Sequence, residues 1–205
     1  MPNLLPLGVL AAAAWAVAAL LHLHRKARAF GARPLFAAPA GEVGAGIRYA
    51  FTGAMSPWAK ESVREHLPSY LAGLAYHAGI FTALGLLVAN LAGLSTPGPI
   101  RMMAQIVLGA GVLGGLGLLA KRMVQPELRG LSKPDDFVSN LLATAFVALA
   151  LTGPLQAWLL SAILLLLYAP LGKIRHCLFF FMARRHLGAF FGRRGVFPPE
   201  GAHGR

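Results

Sequence analysis

Four stretches of this chain carry no Asp, Glu, Lys or Arg: Met1 to Leu21, Leu67 to Ile100, Met102 to Ala120 and Phe137 to Gly172. A helix rises 1.5 Å per residue, so about 20 apolar residues cross the roughly 30 Å hydrocarbon core of a bilayer. The last stretch is too long for one crossing, at roughly 54 Å as a single helix. It holds Thr152-Gly153-Pro154 near its middle, and Gly-Pro breaks a helix. The pattern therefore predicts an all-α integral membrane protein, a five-transmembrane-helix bundle with spans at about 4–24, 69–93, 100–120, 137–153 and 155–181.

Composition agrees. Of 205 residues, 57% are hydrophobic and 13% charged, about half the charge of a soluble domain. Disordered chains are polar and charged, which excludes that class. The single Cys177 excludes a disulfide scaffold. The first stretch has no basic residues ahead of it; its positive charges follow, so it is expected to be a retained helix rather than a cleaved signal. The length suggests a single membrane domain over 1–205.

The Lys/Arg distribution orients the bundle. Arg25, Lys26, Arg28, Arg33, Arg48, Lys60 and Arg64 follow the first span. Lys121, Arg122, Arg129 and Lys133 follow the third, and Lys173, Arg175, Arg184, Arg185, Arg193 and Arg194 end the chain. The opposite loops hold only Arg101. Positive residues stay in the cytoplasm, so the N-terminus is expected outside and the C-terminus inside, in the cytoplasmic (inner) membrane. The net charge of +12 then marks cytoplasmic loops and anionic lipid rather than nucleic acid. Residues 25–67 form a cytoplasmic loop. Its Ile47 to His66 part, with Trp58 beside Lys60, Glu61, Arg64 and Glu65, reads as an interfacial helix or as a solvated charge cluster. Residues 182–205 form a basic cytoplasmic tail, with Phe190, Phe191 and Phe197 interleaved; it would lie on lipid headgroups or dock a partner.

Apart from Arg101, Lys173 and Arg175 near span ends, the spans hold no Asp, Glu, Lys or Arg, only histidines, and intramembrane ionisable groups mark function. His77 lies about 12 Å into the second span, and His176 near the cytoplasmic end of the fifth. The two helices run in opposite senses, so both histidines fall in the cytoplasmic half. Paired neutral imidazoles suit axial ligation of a haem; hydrogen bonding to a neighbouring helix is the alternative. Gly73, Gly79 and Gly85, six residues apart, leave room for a macrocycle or for close helix packing. His22, His24, His66 and His186 sit at or beyond the headgroups, and His203 lies in the tail. Cys177 reads as a small apolar filler. There is no glycine-rich phosphate loop and no cysteine cluster for an iron–sulfur centre.

Several stretches carry a family resemblance: Tyr76-His77-Ala78-Gly79-Ile80, Leu94-Ser95-Thr96-Pro97, Asp136-Phe137 through Leu151-Thr152-Gly153, and Tyr168-Ala169-Pro170-Leu171-Gly172-Lys173-Ile174-Arg175-His176. In order and spacing, over roughly 65–180, the chain resembles the gamma (cytochrome b) subunit of respiratory nitrate reductases. It also resembles the related membrane subunits of sulfite-reduction-associated and heterodisulfide-reductase-type complexes. The Pro-x-x-Lys-x-x-His ending is the most specific piece. The resemblance implies electron exchange between membrane quinone or menaquinone and a cytoplasmic iron–sulfur subunit, through two b-type haems. His77 and His176 match one ligand pair. The other pair falls on Leu87 and Trp158, which cannot ligate iron, so one haem b is expected rather than two.

With the outer haem absent, a quinone cavity is expected near Gly85, Leu86, Leu87 and Trp158, unless side chains fill the space. Arg101 stands where the family has a basic residue near quinone; it would bind a quinone carbonyl or simply anchor its helix by snorkelling. Tyr76 and Arg175 would surround the haem, with Arg175 suited to a propionate. The chain is thus expected to be an electron-transfer subunit, not a self-contained enzyme, with lipid, quinone and an iron–sulfur subunit as partners. The alternative is a haem-free membrane anchor that recruits soluble redox subunits. A transporter would show broken midplane helices or inverted repeats, which the sequence does not display.

Overall fold

The computed structural model describes residues 4–31, 34–36, 38–59 and 61–199. Arg33, Lys60 and His203 lie outside the described residues, as do the side chains of Glu61 and Ser62. All regular elements among the described residues are helical: α1 Leu5–Ala29, α2 Val43–Phe51, α3 Glu61–Glu65, α4 Leu67–Leu91, α5 Gly98–Val124, α6 Pro126–Leu131, α7 Pro134–Thr152, α8 Leu155–Tyr168 and α9 His176–Arg193, with short 3-10 turns between some of them. Four of these, α1, α4, α5 and α7, are long and apolar enough to cross a membrane.

The fifth expected span, 155–181, is broken rather than continuous: its two helices bend by 71° and together are apolar and long enough for one bent crossing. Residues 155–181 are not one helix. The fourteen residues of α8 extend only about 21 Å; α8 ends at Tyr168, and a new helix begins at His176. Pro170 has no N–H to give the Leu166 carbonyl, and the amides of Leu171 and Gly172 both turn back to the Tyr168 carbonyl at 2.9 and 3.0 Å. The Leu167 carbonyl, stranded by this break, accepts instead from the indole N–H of Trp15 at 3.2 Å. The Gly153-Pro154 break falls where it was expected, with Gly153 capping α7 and Pro154 capping α8.

The chain divides into two compact units, Met1–Ala19 with Pro68–Ile174, and Leu20–Leu67 with Arg175–Arg205. In the first, the core is Phe146, Val147, Leu108, Leu159 and Val9, each almost fully buried. Helices α4 and α5 approach through glycine: a Cβ on Gly111 would stand 2.8 Å from the Gly79 Cα, and one on Gly115 2.7 Å from the Tyr76 ring. Such contacts bring backbones together where lipid supplies no hydrophobic drive. Gly73 and Gly85 face open space, so of the three glycines spaced by six only Gly79 serves close packing. Gly93, at φ 68°, closes α4; beyond it the Leu94 amide reaches back to the Ala89 carbonyl at 2.9 Å.

A polar relay ties α4, α5 and α7 inside this apolar unit. The Tyr76 hydroxyl lies 2.9 Å from both the Asn140 carbonyl and the Thr144 hydroxyl. Thr144 donates to Asn140 Oδ1 at 3.2 Å, and Asn140 Nδ2 to the Gly115 carbonyl at 3.3 Å. Tyr76→Phe removes one bonded hydroxyl with little change of shape. It is expected to cost about 1 kcal/mol, measurable as a lowered denaturation midpoint with helix content unchanged.

In the second unit, α2 and α9 pack antiparallel. Gly188 and Gly192, a Gly-x-x-x-Gly pair on α9, lie against Gly46, Ile47 and Ala50 of α2; a Cβ on Gly192 would stand 2.9 Å from the Gly46 Cα. The segment Ile47 to His66 is not a single interfacial helix. It is the end of α2, two 3-10 turns and the short α3, with Trp58 exposed in the second turn. The start of the expected basic tail is helical to Arg193 and packed on α2.

Candidate functional site

The first unit has unlike ends. At one end α5 finishes and α7 begins, and charge collects there. Asp136, only 9% exposed, accepts from the Lys133 backbone N–H at 2.9 Å, lies 3.4 Å from the Arg122 guanidinium and is paired with the Lys173 ammonium. Asp135 accepts from the Tyr168 hydroxyl, from Ser139 at 3.0 Å and from the Lys173 backbone N–H at 3.2 Å. Lys121 donates to Ser69 at 2.6 Å. Helix α7 starts at Pro134, so both carboxylates lie in its first turn, where the helix dipole favours negative charge.

The other end holds a cavity of about 290 Å³ where α4 and α7 finish and α5 and α8 begin. Its polar lining is Arg101, Gln105, Asn90 and Thr96; Leu86 and Trp158 are among its apolar walls. Arg101 and Gln105, four residues apart on α5, share a helix face. Trp158 is 8% exposed and stacks on Phe146 with ring centroids 6.2 Å apart. Its indole N–H is buried and has no acceptor among the described residues. Donors thus predominate around the cavity, and the lining contains no carboxylate. The volume lies at the small end of ligand sites. It suits a ring headgroup rather than a porphyrin.

Of the residues expected at such a cavity, the structure brings Leu86, Arg101 and Trp158 together. Leu87 is corrected: it is 4% exposed and belongs to the hydrophobic core beside Trp158. Consecutive helical residues point about 100° apart, so Leu86 can line the space while Leu87 turns inward. Gly85 is not part of the lining either. Asn90, Thr96 and Gln105 were missed. Uncharged polar residues inside apolar runs were the available signal.

His77 is exposed on α4, and its Nδ1 lies 2.8 Å from the Gly73 carbonyl of its own helix. The bond engages Nδ1 within the helix itself. Tyr76 beside it is buried, its ring edge-on to the imidazole at 6.3 Å. His176 is the first residue of α9 and is exposed, as is Arg175 before it. His77 belongs to the first unit; Arg175 and His176 belong to the second. No group of three or more metal-ligating side chains occurs among the described residues.

The fold defines an all-helical chain with several helices able to cross a membrane, consistent with a multi-pass membrane protein. Comparison with known proteins identifies no relative: no family model, no curated protein and no solved structure matches the chain.

Proposed function

We propose that this chain is the haem b membrane subunit of a respiratory oxidoreductase complex, exchanging electrons between membrane quinone or menaquinone and a cytoplasmic iron–sulfur subunit. In this reading it is a five-span protein of the cytoplasmic membrane, N-terminus outside and C-terminus inside. His77 and His176 hold one haem, which supplies a one-electron carrier; Arg175 sits by a propionate and Tyr76 beside the His77 ligand. The donor set supports the reading: two exposed imidazoles, one with its Nδ1 engaged by a backbone carbonyl.

The observation that carries the reading is the cavity. It joins Arg101 and Trp158 with Gln105 and Asn90 around a ring-sized space. A quinone presents only carbonyl acceptors at its headgroup, and the Arg101 guanidinium and the unpartnered Trp158 N–H are donors. Arg101 would stabilise charge as it develops on a quinone oxygen, and the apolar wall of Leu86 would receive the ring.

Two results test this. A reduced-minus-oxidised spectrum reads the haem directly. For the cavity, Arg101→Gln is expected to weaken binding of a quinone-headgroup analogue about tenfold or more, the worth of a hydrogen bond to a charged group, in tryptophan-fluorescence titrations. Trp158→Phe in the same assay, read by haem absorbance, is expected to weaken it less. Unchanged affinity in both variants would remove the cavity from the reading.

A further inference from the structure

Charge is unevenly shared between the two units. The second holds 13 of the 19 Lys and Arg but 4 of the 7 Asp and Glu, which is +9 of the net +12. Within it, the end of α1 and the α9 residue Phe179 enclose a groove of about 380 Å³, lined by Leu23, Lys26, Ala27, Phe30, Gly31 and Phe179. Leu23 is followed by Lys26 and Ala27 three and four residues on, so the three share one face of α1. Phe30 follows just past the helix end and is 92% exposed. Gly31, at φ 79°, then turns the chain, its amide bonded to the Arg28 carbonyl at 3.0 Å. The walls are apolar apart from one ammonium, and no acidic side chain joins them among the described residues. Arg25 and Arg28, both exposed, flank Lys26 in the last two turns of α1.

We infer that this groove binds an anionic phospholipid, with the phosphate on Lys26 and the start of an acyl chain along Leu23, Ala27, Phe30 and Phe179. Helix α1 is long and apolar enough to cross a membrane, and the last turns of such a helix meet the headgroup layer. A lysine there lays its stem on apolar surface and keeps its ammonium among phosphates, and basic pockets beside spans take anionic headgroups. The volume lies within the range of ligand sites, about 300–1,000 Å³. The apolar walls favour a lipid over free phosphate, which could use only the ammonium. Arg25 and Arg28 raise the local concentration of anions without lining the groove. Neither the haem nor the quinone cavity enters into this binding.

Native mass spectrometry of the full chain, delipidated in mild detergent and titrated with dioleoyl phosphatidylglycerol, counts the lipid bound. One molecule is expected to bind each chain about fivefold more tightly than dioleoyl phosphatidylcholine, the worth of one cation at an anionic surface. Lys26→Ala should remove most of that preference, with helix content by circular dichroism unchanged. Ala27→Phe keeps every charge and fills the groove; it should lose the bound lipid at the concentration that saturates the parent. Arg129→Ala removes an equal charge from an exposed position of the first unit and should bind as the parent does. Inorganic phosphate, compared with chloride at the same ionic strength, should not displace the lipid. Equal affinity for the two lipids overturns the inference, as does parental binding by Ala27→Phe. So does a loss in Arg129→Ala that matches the loss in Lys26→Ala, because charge anywhere on the chain would then suffice. Displacement by phosphate would give the site to the free anion and overturn the lipid. Should Ala27→Phe fail to fold, Leu23→Trp fills the same groove and is read in the same way.

Discussion

The purified chain is expected to show a b-type reduced-minus-oxidised spectrum at close to one haem per chain, and His77→Ala or His176→Ala is expected to abolish it. In the haem reading the two imidazoles would share the hold on the group, so losing either would weaken it. Mutating a direct ligand should therefore cost more than any change in its surroundings. His77→Ala also deletes the bond to the Gly73 carbonyl, but that carbonyl is part of α4 and needs no side chain to keep its helix. The variant should fold, with unchanged helix content, and lose only the chromophore. Added imidazole should return part of the low-spin signal by occupying the vacated position. A ratio near two haems per chain would contradict the inference drawn from Leu87 and Trp158. A well-folded parent without haem would leave the membrane-anchor reading in its place.

The second large effect concerns packing. Gly79→Leu is expected to disrupt the first unit, because a Cβ at this position would already stand 2.8 Å from the Gly111 Cα. The neighbour is backbone and cannot rotate away, so α4 and α5 must separate. Overpacking a core costs about 1–3 kcal/mol and more where backbone must shift. Separation would also pull Tyr76 from Thr144 and Asn140. Gly85→Ala gives the contrast. Nothing lies within 4 Å of its Cβ position, and alanine favours a helix by up to about 1 kcal/mol over glycine. Denaturation midpoints in the same detergent should therefore move in opposite directions for two glycines about one and two-thirds turns apart on one helix.

The charge-free runs made the long helices legible, because a bilayer leaves so few ways to satisfy a backbone. The Gly153-Pro154 break was legible for the same reason. The break after Tyr168 was not, although Pro170 and Gly172 stood in plain view: the surrounding leucines read as one continuous apolar run. Arg101 and Trp158 were placed near a cavity by the family resemblance, through the positions they occupy. That Leu86 rather than Leu87 joins them depends on the rotation of α4 against its neighbours. Asp135 and Asp136 were visible as charges but read as loop. Their value lies in partners more than 30 positions away, Tyr168 and Lys173. The glycine contacts between α4 and α5, and between α2 and α9, likewise become meaningful only once the neighbouring helix is known.

The bond from Trp15 to the Leu167 carbonyl has a consequence for how the protein is made. Its two ends are 152 residues apart. At about 5–20 residues per second of synthesis, the first helix waits roughly 8–30 s for the carbonyl its indole will meet. Gly8 waits as long for Ile163, the nearest neighbour of its Cβ position. During that interval α1 can be held only by lipid, the insertion machinery or helices made in between. A ribosome that stalls before α8 therefore releases a chain whose earliest segment has not met its last partner, leaving an opening for membrane proteases that the finished chain closes.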